Sequence, residues 1–199
     1  MAHHIYTTDA FVLGSELSGE ADRFYLIFTK DLGLLRATAR GVRLQKSKLK
    51  YSLQDFSRTR VSLVRGKEIW RITSARVEDN LHIRFRNNKS ILQIVAHILS
   101  LIKRLVAGEE KNESLFMLVS DAFNFLETQT EQATQQEIVK FFEIIVVLKI
   151  LHNLGYMRIL PELAPFIQNS ISLELLKTLE PHKALALREI NTSLRETQL

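Results

Sequence analysis

The sequence predicts a two-domain α+β protein, in which a five-stranded β-barrel precedes a bundle of α-helices. The first observation is that several short segments before residue 80 alternate apolar and polar residues, whereas apolar residues after it recur with a period of 3.6 residues. The second is an uneven charge: residues 1–80 contain 14 Lys and Arg against 9 Asp and Glu, whereas residues 81–199 contain 13 of each. We therefore expect domains at 1–80 and 81–199, with an anionic partner for the first domain only.

Five short segments of the first domain are predicted to be strands, because they are rich in β-branched and aromatic residues and are separated by turn signals. They are residues 6–13, 23–29, 34–39, 59–64 and 68–77. Arg65-Gly66-Lys67, between the last two, has the composition of a hairpin turn. Five short strands, with no helix-length stretch among the first four, predict a small closed or partly closed barrel, for which the OB-fold is the natural candidate.

The second domain is predicted to be helical. Apolar residues follow helical spacing over 91–106, 115–126 and 134–154, and shorter helices are expected at 171–179 and 182–197. Gly108 and Gly155 are placed to end the first and third helices, and Thr134 with Glu137 forms a capping box at the start of the third. The third helix is apolar nearly all round, which predicts the central helix of a bundle.

Several kinds of chemistry are absent from the sequence. The chain has no cysteine, which excludes disulfides, thiolate zinc sites and a cysteine nucleophile. Gly14 to Gly19 resembles the start of a phosphate-binding loop, but Glu20 and Ala21 stand where Lys and Ser or Thr are required. The histidines lack the spacing of a zinc site, and no Gly-x-Ser-x-Gly motif is present. We therefore expect no enzyme activity, no cofactor and no metal.

Export and membrane signals are also absent from the sequence. Residues 1–6 do not form a basic segment followed by an apolar core, and the densest apolar run, 144–148, is closed by Lys149. A bilayer span needs about 18 apolar residues. We expect a soluble, intracellular protein without a membrane partner.

The strongest functional signal is the stretch of residues 36–50, which we call the basic segment. It contains no acidic residue and six basic ones, Arg36, Arg40, Arg43, Lys46, Lys48 and Lys50. A continuous strand would point Arg36 and Arg40 to one face, and residues 41–50 are expected to form a flexible loop. Such a row matches the phosphates of a nucleic-acid strand, where release of condensed counterions supplies much of the affinity. The alternative interpretation is a charged face that is merely solvated.

Two further groups of side chains are expected to extend this surface. Arg65 and Lys67 add positive charge at the predicted hairpin turn. Tyr51 and Trp70 are the aromatic candidates for stacking on unpaired bases, although most aromatic side chains of a small barrel are expected in its core.

The first domain contains a series of short motifs in a fixed order. These are DAFVLG at 9–14, GEADR at 19–23, FTK at 28–30, GLL at 33–35, ARGVR at 39–43, SKL at 47–49, LQDF at 53–56, RG at 65–66 and WRIT at 70–73. Through these motifs the domain resembles the RecO family of bacterial recombination mediators. The resemblance is dense over about residues 6–78. In the helical part, LHNLGY at 151–156 is the best local match.

The resemblance implies an OB-fold followed by an α-helical domain, in a cytoplasmic, nucleoid-associated DNA repair protein. Members bind single- and double-stranded DNA, anneal complementary strands, work with RecR, and help RecA displace single-stranded-DNA-binding protein in homologous recombination. Contact with the acidic tail of that binding protein is attributed to the family's helical domain. Many relatives carry a four-cysteine zinc site after the segment that LHNLGY matches. In this chain residues 157–165 follow that segment, and the chain contains no cysteine.

Two other interpretations stay open from the sequence. In one, the chain is an interaction adaptor whose helical half recruits partners, and binding of DNA or RNA by the OB-fold is secondary. In the other, the OB-fold prefers RNA, because composition does not distinguish the two nucleic acids and discrimination would depend on the 2′-hydroxyl.

Overall fold

A computed structural model describes residues 4–128 and 136–197. The chain divides into two compact units. The first, which we call the barrel unit, contains the described residues up to Asn87 together with Leu99–Glu113. The second, the helical unit, contains Asn88–Ile98 and the described residues from Ser114 onward. The domain boundary predicted near residue 80 stays a prediction.

Five strands form the barrel unit. They are β1 (Ile5–Ser18), β2 (Asp22–Thr29), β3 (Gly33–Ala39), β4 (Ser57–Arg65) and β5 (Trp70–Asn80). The strands close into a barrel in the order β1-β2-β3-β5-β4, where only the β3–β5 pair is parallel. The five predicted strands and the OB-fold barrel are therefore confirmed.

The long first strand closes the barrel because it pairs with two neighbours. Its first half pairs with β4 and its second half with β2. The register with β2 shifts between Val12 and Gly14, where an irregularity lets the strand bend from one neighbour to the other.

Alternate residues of the strands fill the barrel. Large apolar side chains with no more than 4% exposure come from every strand and from the connection between β3 and β4. The largest members of this core are Val12, Tyr25, Ile27, Leu35, Val42, Leu53, Val61, Leu63, Trp70 and Ile72. Burial of this apolar surface is the main source of the barrel's stability.

The connection between β3 and β4 is a series of turns followed by the short helix α1 (Leu49–Ser52). The backbone N–H of Gly41 donates to Asp22 Oδ1 over 2.8 Å, and the N–H of Arg43 donates to the Ala21 oxygen over 2.9 Å. The prediction of a loop over 41–50 is wrong at its end, because Leu49 and Lys50 are helical. Two hydrogen bonds hold its first residues against the β1–β2 hairpin, and its flexibility stays a prediction. β3 also ends before Arg40, so Arg40 does not continue the alternation of Arg36.

The segment that follows helix α3 (Lys89–Leu105) lies against the β2–β3 turn inside the barrel unit. Leu34 N–H donates to the Gly108 oxygen over 3.0 Å, and a Cβ atom added to Gly33 would lie 2.3 Å from the Glu110 oxygen. Gly33 also has a φ of +74°. Both the close approach and the backbone conformation therefore require glycine at this turn.

The remaining elements are helical. They are α2 (Leu81–Phe85), α3 (Lys89–Leu105), α4 (Glu113–Thr128), α5 (Gln136–Asn153), α6 (Ala164–Gln168), α7 (Leu173–Lys177), a 3₁₀ turn (Glu180–His182) and α8 (Lys183–Glu196). The predicted helices are confirmed, except that the predicted start and cap at Thr134 lie outside the described residues. Sequence reasoning missed α2 and α6. No helix among the described residues is long and apolar enough to cross a membrane.

Helix α5 is the buried centre of the helical unit, as its apolar sequence predicts. It packs against α6, α7 and α8. Its single buried charge is Lys149, whose side chain is 9% exposed. The Lys149 Nζ donates to the backbone oxygens of Ile167 and Asn169 over 2.7 and 2.6 Å, so it satisfies carbonyls at the end of α6.

Candidate nucleic-acid interface

The six cations of the basic segment are all exposed, and they lie on three different local structures. Arg36 lies on β3, four follow in the turns, and the last lies on α1. Within the part of the chain that the structure describes, four of the six make no side-chain hydrogen bond or ion pair: Arg40, Lys46, Lys48 and Lys50. These four charges are therefore free to meet an anion from outside the chain.

Arg36 differs from these four because it already has a carboxylate partner. Its Nη2 lies 2.9 Å from Glu16 Oε2, and its guanidinium carbon lies 4.7 Å from the centre of the Phe24 ring. The two charged side chains are 61% and 75% exposed, so the ion pair contributes little and a phosphate could replace the carboxylate.

Arg43 is oriented by a neutral acceptor. Its Nη1 donates to the Gly19 oxygen over 3.2 Å, which ties the side chain to the β1–β2 turn. It lines a groove of about 390 Å³ on the barrel surface, together with Ser15, Arg23, Tyr25, Val42, Lys50, Leu53, Gln54 and Asp55. The structure thus brings two predicted residues, Arg43 and Lys50, to one groove.

Sequence reasoning missed Arg23, which lines the same groove. Its Nη1 donates to Ser15 Oγ over 2.9 Å. The signal was present in the sequence, because Arg23 and Tyr25 stand two residues apart on a strand and share a face. That signal did not show that the β3–β4 connection would fold over the same face.

A second groove adjoins the first and shares Ser15 and Tyr25 with it. Arg36 lines it, and so does Lys103 from the part of α3 that belongs to the barrel unit. The sequence-based boundary at residue 80 assigned all of α3 to the helical domain, so Lys103 was not considered.

The β4–β5 turn carries the other two predicted cations. Arg65 Nη2 lies 3.7 Å from Glu109 Oε2, and the guanidinium carbon lies 5.5 Å from the centre of the Trp70 ring. Lys67 is exposed. Neither residue lines either groove, so the structure does not gather them with the basic segment.

The two aromatic candidates have opposite environments. Tyr51 is 68% exposed and lies on α1 beside Lys50. Trp70 is 4% exposed and packs edge-to-face on Tyr6, with ring centres 5.3 Å apart. The assignment of Trp70 as a base contact is wrong, because its ring belongs to the barrel core.

These features define a protein with an OB-fold barrel that exposes a cationic surface, followed by a helical unit. Residues 1–81 match the family model described as the N-terminal domain of recombination protein O. The match identifies these residues as an N-terminal domain of the RecO type, as their motifs predicted.

Curated relatives extend the similarity beyond the barrel. The DNA repair protein RecO of Dehalococcoides mccartyi is 34% identical over 145 residues, which cover 71% of this chain and 54% of that protein. The proteins of the same name from Alkaliphilus metalliredigens and Acetivibrio thermocellus are 27% and 28% identical, over 69% and 75% of this chain. The chain spans about half the length of the curated relatives it matches.

Proposed function

We propose that this chain is a DNA repair protein that binds the DNA backbone through its OB-fold barrel. The observation that carries the proposal is a set of exposed cations in the basic segment that have no partner among the residues that the structure describes: Arg40, Lys46, Lys48 and Lys50. The match of residues 1–81 to the N-terminal domain of recombination protein O supports it, and so do the matched relatives, which are named DNA repair proteins.

Binding of this kind would depend on charge and not on base sequence. Each lysine or arginine that meets a phosphate releases a condensed counterion, which makes the affinity fall linearly with salt on a log–log plot. Contacts to phosphates position the strand but carry no sequence information. The basic segment would therefore accept single- and double-stranded DNA.

Strand annealing follows from the same neutralisation. Two complementary strands repel each other through their phosphates, and a protein that neutralises part of that charge lets them approach and pair. This role needs no covalent chemistry. We extend the proposal to work with RecR and to loading of RecA on DNA that is coated by single-stranded-DNA-binding protein, for which the helical unit would supply partner contacts.

The experiment that tests the proposal measures binding of a fluorescent single-stranded oligonucleotide by anisotropy at several salt concentrations. We expect tight binding at low salt and a steep linear decline on a log–log plot. Strand annealing would then be measured with complementary oligonucleotides. Weak binding without salt dependence would contradict the proposed role of the barrel.

A second candidate is an interaction adaptor, and the compact helical unit favours it because that unit has its own buried centre in α5. The full chain with Lys46, Lys48 and Lys50 changed to alanine separates the two candidates. An adaptor would keep its repair activity in cells without the three lysines, whereas a backbone-binding protein would lose it. Competition between DNA and RNA of the same sequence tests the preference for RNA.

A further inference from the structure

Three cations from separate elements face the groove between the β1–β2 hairpin and the β3–β4 connection. Arg23 comes from β2, Arg43 from the turns and Lys50 from α1, whereas Asp55 is the only acidic residue of the lining. Among the described residues, none of the three cations has a carboxylate partner. The lining therefore carries a net charge of +2, and mutual repulsion of its cations is relieved when an anion enters.

The protein orients these charges with acceptors that do not neutralise them. Arg23 donates to the Ser15 hydroxyl and Arg43 donates to the Gly19 carbonyl. Other exposed arginines of the barrel, such as Arg60 and Arg76, pair with carboxylates, in each case over 2.9 Å. Neutral acceptors fix the direction of a guanidinium group and leave its full charge for a ligand, which is the preorganisation that an anion site needs.

The floor of the groove adds a neutral hydrogen-bonding group in an apolar setting. Val42 and Leu53 are 2% exposed, and Tyr25 is 3% exposed. Burial raises the pKa of the Tyr25 hydroxyl, with Arg23 lowering it and Asp55 raising it by smaller amounts. The hydroxyl thus stays protonated at neutral pH, and within the described residues its proton has no acceptor, so it can donate to a bound oxygen.

We propose that this groove is a phosphate-binding subsite, in which Arg23, Arg43 and Lys50 hold one phosphate group of a bound DNA strand. This inference rests on the proposed function and deepens it, because it adds Arg23 to the surface and fixes where the strand crosses the barrel. Arginine is suited to the task because its planar group can bind two phosphate oxygens at once. A volume of about 390 Å³ is at the low end for ligand sites and fits one nucleotide.

The test replaces Arg23 with glutamine, which removes the charge and keeps a polar group near Ser15. The probe is an unphosphorylated oligothymidine of about 20 nucleotides. We expect about fivefold to tenfold weaker binding at low salt. The slope of log affinity against log salt concentration, which we call the salt slope, should be smaller in magnitude by about 0.7. Arg76→Gln is the matched control, since it removes the same charge from the barrel, and we expect it to bind as the wild type does.

A second variant is expected to bind DNA more tightly than the wild type, which a folding defect would not produce. Asp55→Asn removes the one acidic group from the lining, and we expect it to bind the same oligonucleotide about twofold more tightly. Thermal unfolding of all variants would show that each is folded. Repeating the series with a 5′-phosphorylated oligonucleotide distinguishes the two sources of phosphate, because a larger effect of Arg23→Gln on that probe would assign the subsite to strand ends.

The outcomes separate the subsite from the proposed function. If Arg23→Gln and Asp55→Asn bind as the wild type does, while the variant that lacks Lys46, Lys48 and Lys50 binds weakly, the subsite is wrong and the proposed function stands. If the wild type shows no salt-dependent binding, both are wrong. Weaker binding by Arg23→Gln together with tighter binding by Asp55→Asn supports the subsite.

Discussion

Lysines in two regions of the molecule have opposite environments. In the basic segment, Lys46, Lys48 and Lys50 are exposed, and among the described residues they have no partner. In helix α5, Lys149 is buried and donates to the backbone oxygens of Ile167 and Asn169.

The comparison shows that the surroundings of a charge decide its role. An exposed ammonium group without a protein partner can bind an external phosphate and breaks no internal bond when it does so. A buried ammonium group has exchanged water for backbone oxygens, so its removal leaves those oxygens unsatisfied. The first kind of lysine should affect binding only, and the second kind should affect stability only.

The largest effect is expected for Lys149→Met. The free energy of unfolding should fall by about 2 to 3 kcal/mol, because two charge-assisted hydrogen bonds to backbone oxygens are lost, of which the one to Ile167 is buried. Urea unfolding followed by circular dichroism measures it. Lys140→Met on the exposed face of the same helix is the control and should change the free energy little. If Lys149→Met were as stable as the wild type, the two hydrogen bonds would make no net contribution to the free energy of unfolding.

The same residue predicts a dependence of stability on pH. Burial lowers the pKa of Lys149 from its ordinary value of 10.5. Between the lowered pKa and 10.5 the unfolded chain binds more protons than the folded chain, so this group makes the free energy of unfolding rise with pH in that window. The difference in stability between the wild type and Lys149→Met should therefore widen as the pH rises towards 10.5. A difference that is constant up to pH 10.5 would contradict the shift.

The sequence predicts the barrel well because each strand carries its own signal. Alternation marks several of the strands, and turn residues separate them, so the five strands and their approximate bounds follow from local patterns. Trp70 was assigned wrongly to the surface, because its exposure depends on which face of β5 lies inside. Its spacing from buried Ile72 places both on one face, and that pairing was the available signal.

The grooves depend on contacts between residues far apart in the sequence, which no local pattern contains. Arg23 and Lys50 line one groove because hydrogen bonds hold residues 41–43 against the β1–β2 hairpin. Lys149 is a lone charge in an apolar helix, which indicates a buried contact. Its acceptors lie 18 and 20 residues further along, however, in a segment that prolines interrupt.

The next largest effect is expected when Lys46, Lys48 and Lys50 are all changed to alanine. Three lost phosphate contacts on single-stranded DNA lower the salt slope by about 2, so the wild type should lose roughly 20-fold more affinity than the variant between 50 and 200 mM salt. The loss should be the same for oligonucleotides of different sequence, and anisotropy measures it. The stability of the variant should equal that of the wild type.

The matched control for this variant removes three charges that already have carboxylate partners. Arg76, Lys111 and Lys183 each form an exposed ion pair. Changing these three to glutamine lowers the net charge by the same amount and should leave the salt slope near that of the wild type. An equal fall of the slope in both variants would show that binding depends on total charge and not on the basic segment.

A smaller effect is expected for Tyr51→Ala. Stacking of one base on an aromatic ring contributes about 1 to 3 kcal/mol, and the exposure of Tyr51 favours the lower end. Affinity for single-stranded DNA should therefore fall by about tenfold, while its salt slope and the affinity for duplex DNA stay unchanged, because duplex bases are already stacked. Tyr51→Phe should restore binding. Equal losses on single strands and duplexes would show that the ring does not stack on a base.

The smallest effect is expected at the β4–β5 turn, where Arg65, which has a carboxylate partner, lies two residues from the exposed Lys67. Arg65 lies 3.7 Å from Glu109, whereas Lys67, two residues away, is exposed and has no such partner among the described residues. If DNA reaches this turn, the Glu109 carboxylate competes with phosphate for Arg65. Glu109→Gln should then bind single-stranded DNA about twofold more tightly at 50 mM salt, and the gain should fade at 200 mM as the charges are screened.

The result of this substitution defines the limit of the binding surface. Binding by Glu109→Gln that equals wild type, together with unchanged binding by Lys67→Ala, would confine the surface to the basic segment and its grooves. Tighter binding by Glu109→Gln would show that an occupied cation still takes part once its internal partner is removed. The exposed ion pair would then weaken DNA binding, because the Glu109 carboxylate and a phosphate compete for one guanidinium group.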